Sequence, residues 1–243
     1  MTSSTQPAAA IRVPLEPRSA RRSFRVSIIE DHALFAESLE LALSMEGYDV
    51  RRLLLPPDGG SAAQLVAAVT RLHPRVVLVD LDLGRFGDGA RIIRPIAQTG
   101  ANVVVVTAST DQARWGECLH YGARTALSKT RPLNEILATV RRLHQGLPVM
   151  DSGERERLLQ TWHVQRREQR GMRDRLATLT HREQEVLGEL MEGHPVKDIA
   201  RTSVVSEATV RTQVKSILAK LEVSSQLAAV GFAHQVGWQA PPD

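Results

Sequence analysis

One short run of apolar residues limits the fold of this chain more than any other feature. Residues 76–79 read Val-Val-Leu-Val, and the run ends abruptly at the carboxylate of Asp80. An uninterrupted apolar run of this length is typical of a strand buried on both faces, as in parallel sheets covered by helices. Such a strand carries Asp80 to the carboxyl edge of its sheet, which is where open α/β sheets bind ligands.

The sequence on either side of this run alternates between strand and helix patterns. Residues 24–145 contain five short β-prone runs, and each is followed by apolar residues at helical spacing. This alternation predicts a (βα)5 domain, in which a doubly wound parallel sheet carries helices on both faces. From residue 179 onward the pattern is helical without strand signals, which predicts a small all-α domain of four helices.

Composition separates two further segments from these domains. Residues 1–23 are rich in Ser, Ala, Pro and Arg, hold four arginines and one glutamate, and are predicted to form a disordered basic tail. Residues 146–178 open with glycine and proline and continue as a charged stretch, so we expect a partly helical linker with an exposed helix. The predicted domains are therefore residues 24–145 and 179–238.

Cysteine usage and hydropathy favour a cytoplasmic protein. A single cysteine, Cys118, excludes a disulfide within the chain, suits a reducing compartment, and is expected to be a small buried apolar residue. No apolar run approaches the ~18 residues that a membrane span needs, so we expect no membrane partner. The first residues also lack the apolar segment of a signal peptide. The formal net charge of +4 is weak support for nucleic-acid binding, because the tail supplies most of it.

Polar side chains follow four of the predicted strands. They are the pair Glu30 and Asp31, then Asp80, Thr107 and Lys129. Because the carboxyl ends of parallel strands meet at one edge, these groups should lie together. Crowded carboxylates repel one another, and Mg²⁺, which prefers oxygen ligands, is the natural ion to neutralise them. Asp80 could then attack phosphorus in line, while Lys129 pairs with the phosphoryl oxygens and Thr107 donates to one of them.

With this set of residues, segment 24–145 resembles the receiver domain of two-component response regulators. The matching parts are the acidic pair, Asp80, Thr107, and the lysine of Leu127-Ser128-Lys129. The resemblance implies phosphotransfer from a histidine kinase to Asp80. It also implies Mg²⁺ held by Asp31, Asp80, Glu30 through water, and the backbone carbonyl of Asp82.

Two positions depart from the receiver pattern. Gly84 stands where receivers usually carry proline, four residues after the phosphoacceptor. Ala126 stands where they usually carry Tyr or Phe, three residues before the lysine. In the family that aromatic side chain rotates inward when the threonine moves. We therefore expect the chain to retain the phosphate chemistry. Transmission of the signal would lack the contribution of the aromatic side chain.

Residues 179–238 resemble the LuxR-type helix-turn-helix of the NarL/FixJ subfamily. The match comprises Leu179-Thr180-His181-Arg182-Glu183-Gln184-Glu185-Val186-Leu187, Gly193, Lys197, Ile199-Ala200, Ser206, Thr209-Val210-Arg211, Val214, Ile217-Leu218, Lys220-Leu221, Val223 and Ser225. Ser203 and Gln213 depart from it, at positions where the family usually has an apolar residue and His.

The charge and periodicity of this segment agree with DNA binding. Residues 197–220 hold five lysines and arginines against two carboxylates. An apolar stripe would turn inward and leave Arg211, Thr212 and Lys215 on the outer face, where a recognition helix meets the major groove. The predicted DNA-binding residues are Lys197, Ser206, Thr209, Arg211, Thr212, Gln213, Lys215 and Lys220.

Together these patterns predict a DNA-binding transcriptional response regulator, not an enzyme, that is controlled by phosphorylation of Asp80 in a phosphorelay. We expect it to bind paired half-sites of double-stranded DNA as a homodimer. Two alternatives remain open. Ala126 and Gly84 favour a receiver that a ligand or partner regulates without phosphorylation. A haloacid-dehalogenase-type phosphatase would share Asp80-Leu81-Asp82, Thr107 and Lys129, but it needs an acidic pair after the lysine and leaves the C-terminal pattern unexplained.

Overall fold

The computed structural model describes residues 21–55 and 60–240, which fall into two compact units divided between Trp162 and His163. In the first unit strands and helices alternate, as the sequence predicts. The elements are β1 Arg25–Ile29, α1 Ala33–Met45, β2 Asp49–Leu53, α2 Ala62–Leu72, β3 Val76–Val79, α3 Ala90–Gln98, β4 Asn102–Thr107, α4 Gln112–His120, β5 Thr125–Ser128 and α5 Leu133–His144.

The five strands form one parallel sheet in the order β2-β1-β3-β4-β5. One face packs against α1 and α5, and the other packs against α2, α3 and α4. All four residues of β3 are buried, as expected for an apolar run at the centre of such a sheet. Strand order reverses between β1 and β3, and Asp80 follows β3 at that point, where its amide donates to the carbonyl of Ile29 at 3.0 Å. The predicted doubly wound (βα)5 fold is confirmed.

A long helix follows α5. Helix α6 spans Ser152–Ala177, and the boundary between the two units falls inside it. Leu158 and Trp162 are buried in the first unit, while Leu176 is buried in the core of the second. The expectation of an exposed helix is therefore wrong at these positions. Their apolar side chains are few and widely spaced in a strongly charged segment, so the sequence shows no continuous stripe.

The predicted basic tail lies almost wholly outside the described residues. Arg21, which was assigned to that tail, is buried. Its guanidinium lies 3.5 Å from a carboxylate oxygen of Glu46 and over the ring of Tyr48. This cation therefore supports the first unit instead of standing in solvent. The remaining boundaries predicted for the tail and linker stay predictions.

The second unit contains a helix-turn-helix within a small helical bundle. Besides the end of α6 it comprises α7 His181–Met191, α8 Val196–Thr202, α9 Glu207–Leu221 and α10 Gln226–Gln235. A capping box forms at the start of α7 between Thr180 and Glu183, and Ser206 caps α9 through the amide of Thr209. The four-helix prediction is confirmed. Within the described residues, every helix is too short or too polar to cross a bilayer.

A buried carboxylate fastens α9 to α7. Glu183 accepts hydrogen bonds from Ser216 Oγ and Lys220 Nζ, both at 2.6 Å, and from the amide of Thr180 at 2.7 Å. Burial alone raises the pKa of Glu183, but the bonds from Lys220, Ser216 and Thr180 outweigh it and lower the pKa to about 2. These hydrogen bonds therefore favour the charged form of the carboxylate, which joins α9 to α7.

Replacing this carboxylate should make stability depend on pH in a defined window. Because the folded-state pKa of about 2 lies below the ordinary 4.5, the ionised group stabilises the fold above pH 4.5 and loses this effect as the pH falls towards 2. We expect Glu183→Gln to lower the free energy of unfolding at pH 7 by about 1–3 kcal/mol, since Lys220 loses its buried partner. Urea unfolding at several pH values measures this difference, which should shrink below pH 4.5.

The matched control is Glu185→Gln on the same helix. Glu185 pairs with Arg182 and His181 at the surface, and pairs of that kind contribute about 1 kcal/mol or less. An equal loss in both variants, or a difference that does not vary with pH, would contradict the assignment of Glu183.

The turn between α8 and α9 contains a strained residue. Val204 has a φ of 55° and is 91% exposed. A β-branched side chain in this left-handed region is a rare outlier that costs about 1–2 kcal/mol. The strain is not balanced by core packing, since the side chain faces solvent.

Substitution of Val204 by a residue that tolerates this conformation should stabilise the second unit. We expect Val204→Asn to raise the free energy of unfolding by about 1 kcal/mol, because asparagine adopts positive φ more readily. Urea denaturation followed by circular dichroism measures the gain. Val205→Asn is the control at a neighbour without positive φ, and it should bring no gain. A loss of stability in Val204→Asn would show that the backbone conformation of Val204 is not strained.

Candidate functional site

Lysine 129 joins two buried carboxylates at the carboxyl edge of the sheet. Its Nζ lies 2.7 Å from Asp80 Oδ2 and 2.7 Å from Glu30 Oε2. The backbone places the three residues directly after β5, β3 and β1. The structure thus brings together three of the residues that the sequence assigns to one site, from positions far apart along the chain.

The charges of this group depend on one another. The side chains of Asp80 and Glu30 are each 2% exposed, so each needs a nearby cation or hydrogen-bond donors. Burial lowers the pKa of Lys129, but hydrogen bonds to Asp80 and Glu30 outweigh that effect and the pKa is raised. The lysine therefore stays charged at neutral pH. Asp80 Oδ1 accepts a further bond from the amide of Leu81 at 2.6 Å.

Two side chains at the start of α1 complete the acidic group. Asp31 is partly exposed, and its Oδ1 lies 2.9 Å from Nδ1 of His32. That ring nitrogen also lies 3.1 Å from Glu30, and the pKa of His32 is raised by this hydrogen bond and by the charge of Asp31. The sequence prediction omitted His32, although its position next to the acidic pair could have suggested it.

The group offers a suitable set of ligands for a hard cation. One ligand atom from each of Glu30, Asp31, His32 and Asp80 lies within 4.8 Å of the others. Three of the four supply carboxylate oxygens, which Mg²⁺ prefers, while the nitrogen of His32 is already engaged by carboxylates. The residues present therefore fit the ion that the sequence predicts. Asp82, predicted to contribute its carbonyl, lines the same cleft.

The acidic group opens into a cleft of about 650 Å³. Its lining residues include Asp80, Asp82, Asp88, Thr107, Ser109, Arg114 and Lys129. The hydroxyl oxygen of Thr107, a buried residue, accepts a bond from the amide of Ser109 at 3.1 Å. At the rim Arg114 pairs with Asp88 at 2.9 Å, a contact that sequence reasoning missed because the two residues lie on separate elements.

Both departures from the receiver pattern have structural consequences. Gly84 has a φ of 55°, which the fixed ring of proline excludes, and a Cβ there would lie 3.0 Å from Asp31 Oδ2. Glycine thus lets the loop after β3 approach the acidic pair. Ala126 is buried in β5 and offers only a methyl group.

The outer face of α9 presents the predicted base-reading side chains to solvent. Arg211, Thr212 and Lys215 are exposed, whereas the apolar stripe lies in the core. The buried positions of that stripe are Val210, Val214, Ile217 and Leu221. Lys197 and Thr209 are also exposed. An exposed cationic face on the second helix of a helix-turn-helix is suited to the major groove.

Two of the predicted DNA-binding residues have contacts inside the domain, and a third is half-buried. Lys220 binds the carboxylate of Glu183, and Ser206 caps α9. Gln213 is half-buried, and its Oε1 has no hydrogen-bond partner among the described residues. These three are therefore less available for DNA than Arg211 and Lys215.

Both halves of the chain match families of known proteins. Residues 26–141 match the family model described as response regulator receiver domain, and residues 177–233 match bacterial regulatory proteins of the luxR family. The nitrate/nitrite response regulator protein NarP of Escherichia coli is 29% identical over 89% of this chain and 97% of its own length. The uncharacterized transcriptional regulatory protein YhcZ of Bacillus subtilis is 27% identical over 86% and 94%.

Among solved structures, the RcsB response regulator of Salmonella typhimurium covers 88% of this chain and 98% of its own, at 21% identity and a TM-score of 0.47. The two family models and the full-length relatives agree on the domain composition. This chain belongs to the NarL/FixJ-type response regulators, which join a receiver domain to a LuxR-type helix-turn-helix.

Proposed function

We propose that phosphorylation of Asp80 controls DNA binding by this response regulator. The observation that carries the proposal is the placement of Asp80. It is buried at the centre of the sheet edge, bonded to Lys129 at 2.7 Å, and lines an open cleft with Thr107. A carboxylate that is both held by a cation and accessible from a cleft is suited to act as a nucleophile.

The chemistry follows from the residues around the carboxylate. An oxygen of Asp80 forms a bond to phosphorus while the bond from phosphorus to the donor's imidazole nitrogen breaks, and that nitrogen keeps the electron pair. Lys129 is positioned to move from the carboxylate to the phosphoryl oxygens, whose charge is higher. The hydroxyl of Thr107 can donate to the same group. The phosphodonor we propose is a phosphohistidine of a histidine kinase.

Glu30, Asp31 and Asp80, with the backbone carbonyl of Asp82, would hold Mg²⁺ in this site. When bound, the ion would neutralise the crowded carboxylates and the entering phosphoryl charge. The convergence of ligand atoms from Glu30, Asp31 and Asp80 supports this assignment, and Asp82 lines the same cleft.

On the DNA side, we propose that Arg211, Thr212 and Lys215 read base edges. Phosphate contacts would come from Lys197 and Thr209, and Ser206, Gln213 and Lys220 would contribute where their internal contacts leave them free. The position of Arg211, Thr212 and Lys215 on the exposed outer face of α9 supports this division, because base contacts come from the side chains that enter the groove. We propose a homodimer on paired half-sites, acting in the cytoplasm beside the DNA that it binds.

The phosphatase alternative finds no support in the fold. That class needs an acidic pair at a strand end after the lysine, but residues 130–240 contain no strand. The acidic pair of this chain follows β1 instead. We therefore infer that Asp80 stores a phosphoryl group as a signal and that the protein is not an enzyme that turns over a substrate.

Removal of the acceptor carboxylate should abolish phosphorylation. We expect Asp80→Asn to take up no label from radioactive acetyl phosphate or a phosphorylated kinase, since an amide is a poor nucleophile. Asp88→Asn, at the rim of the same cleft, is the control and should be labelled. Labelling of the Asp80 variant at the wild-type level would show that another residue is the acceptor.

Phosphorylation should change DNA affinity. We expect beryllofluoride, a phosphoryl mimic, to alter the affinity of the wild-type protein for a duplex selected from a random pool, measured at fixed salt. Equal affinities with and without it would favour the alternative in which a ligand or partner regulates the receiver.

Truncation of the base-reading side chains should weaken specific binding. We expect Arg211→Ala and Lys215→Ala each to cost about 1–3 kcal/mol on the selected duplex and to relax the sequence preference. Lys197→Ala should weaken binding to all sequences and lower the salt slope by about 1. Arg91→Ala, an exposed cation of the first unit, is the control. Undiminished binding by both α9 variants would refute the role of this face.

A further inference from the structure

The first turns of α6 lie along α4 in the receiver unit. Arg155, Leu158, Leu159 and Trp162 fall at the spacing of one helix face, and Leu158 and Trp162 are each 6% exposed. Leu158 belongs to the same apolar cluster as the strands and helices of that face of the sheet, and Leu159 packs against it. The segment from 155 to 162 is therefore part of the receiver core. We call it the α6 seat.

A single glycine allows this close approach. A Cβ at Gly116, in the middle of α4, would lie 2.1 Å from the carbonyl oxygen of Leu158 and 2.8 Å from the Cβ of Trp162. Any side chain there would push the two helices apart, because the nearest atom belongs to the backbone. Glycine inside a helix costs about 1 kcal/mol relative to alanine. Gly116 thus lowers the helix propensity of α4 but permits the close contact with α6.

Polar and ring contacts fix both ends of the α6 seat. The Arg155 guanidinium donates to the carbonyls of Leu119, in the last turn of α4, and Ala123, just beyond it, at 3.2 and 3.3 Å. A cation at that position is favourable, since the C-terminal end of a helix carries the negative end of its dipole. The rings of His120 and Trp162 stack with centroids 4.1 Å apart.

The opposite end of α4 is bonded to the loop that follows Thr107. The indole Nε1 of Trp115 donates to the carbonyl of Ser109 at 3.0 Å, and the amide of Ser109 donates to the hydroxyl oxygen of Thr107 at 3.1 Å. Ser109 therefore connects the hydroxyl in the acceptor cleft to the residue next to Gly116. At Ala126 the neighbouring strand offers only a methyl group, so it has no large side chain that could move instead.

We propose that Trp115 and Gly116 carry the phosphorylation signal from Thr107 to the α6 seat, with Trp115 as a positioning residue for the loop and Gly116 as the contact point of α6. The inference rests on the proposed phosphorylation of Asp80. A phosphoryl group there would place strong acceptors beside the Thr107 hydroxyl, which would turn to donate to them. That rotation changes the bond to Ser109, and Trp115 passes the displacement of the loop to α4 and its contact with α6.

The first test compares two glycines. Gly116→Ala should lower hydrogen-exchange protection of amides 155–162 by about tenfold or more, as expected when a local element opens more readily. The ratio of DNA affinities with and without beryllofluoride should fall towards one, while Asp80 is still labelled. Gly171→Ala is the matched control on α6, since a Cβ there meets nothing within 4 Å. Unchanged protection and an unchanged ratio in Gly116→Ala would overturn the proposal.

The second test removes a single hydrogen bond. Trp115→Phe keeps an aromatic ring on α4 but cannot donate to Ser109, so the fold and labelling should be retained. We expect the affinity ratio to fall by about threefold or more, in the range of one hydrogen bond. An unchanged ratio in this variant would overturn the role of Trp115. Absence of labelling in the wild-type protein would instead refute the proposed phosphorylation of Asp80. Failure of the proposed function can therefore be distinguished from failure of the proposed transmission through Trp115 and Gly116.

Discussion

The receiver site depends on one lysine that neutralises two carboxylates in the interior. Lys129 reaches Asp80 and Glu30 from the end of β5, at 2.7 Å each. Without it two buried negative charges would lie close together without a cation, which is energetically unfavourable. The same contact joins the ends of the first, third and fifth strands, so the site and the sheet edge stabilise one another. An arriving phosphoryl group would compete with both carboxylates for this cation.

Much of this arrangement could be predicted because it follows from local patterns. An apolar run that ends in an acid defines both a buried strand and the edge to which it delivers Asp80. Parallel topology then places Thr107 and Lys129 at that edge without any knowledge of distances. The capping box at Thr180 and Glu183 is likewise a local signal, since its two hydrogen bonds close within one turn.

The contacts that sequence reasoning missed all join residues on different elements. The spacing of Thr180 and Glu183 indicates only a cap, yet the carboxylate of Glu183 also binds Ser216 and Lys220 on α9. Gly116 resembled an ordinary helical glycine, because nothing near it in the sequence shows that α6 approaches there. The charged residues that precede Leu158 and follow Trp162 concealed a face that is buried by tertiary packing. Such pairings depend on how elements meet, which periodicity does not reveal.

The absence of an aromatic side chain at position 126 need not break the transmission of the signal. A coupling between two sites is typically worth about 1–3 kcal/mol, and one or two hydrogen bonds supply that amount. The hydrogen bonds from Ser109 to Thr107 and from Trp115 to Ser109 are two such bonds, and they form a continuous path from the cleft to α4. Because Gly116 brings backbone against backbone, α4 cannot shift without disturbing α6. Under the proposed transmission, a receiver with alanine in β5 would still displace α6, provided that the loop and α4 move together.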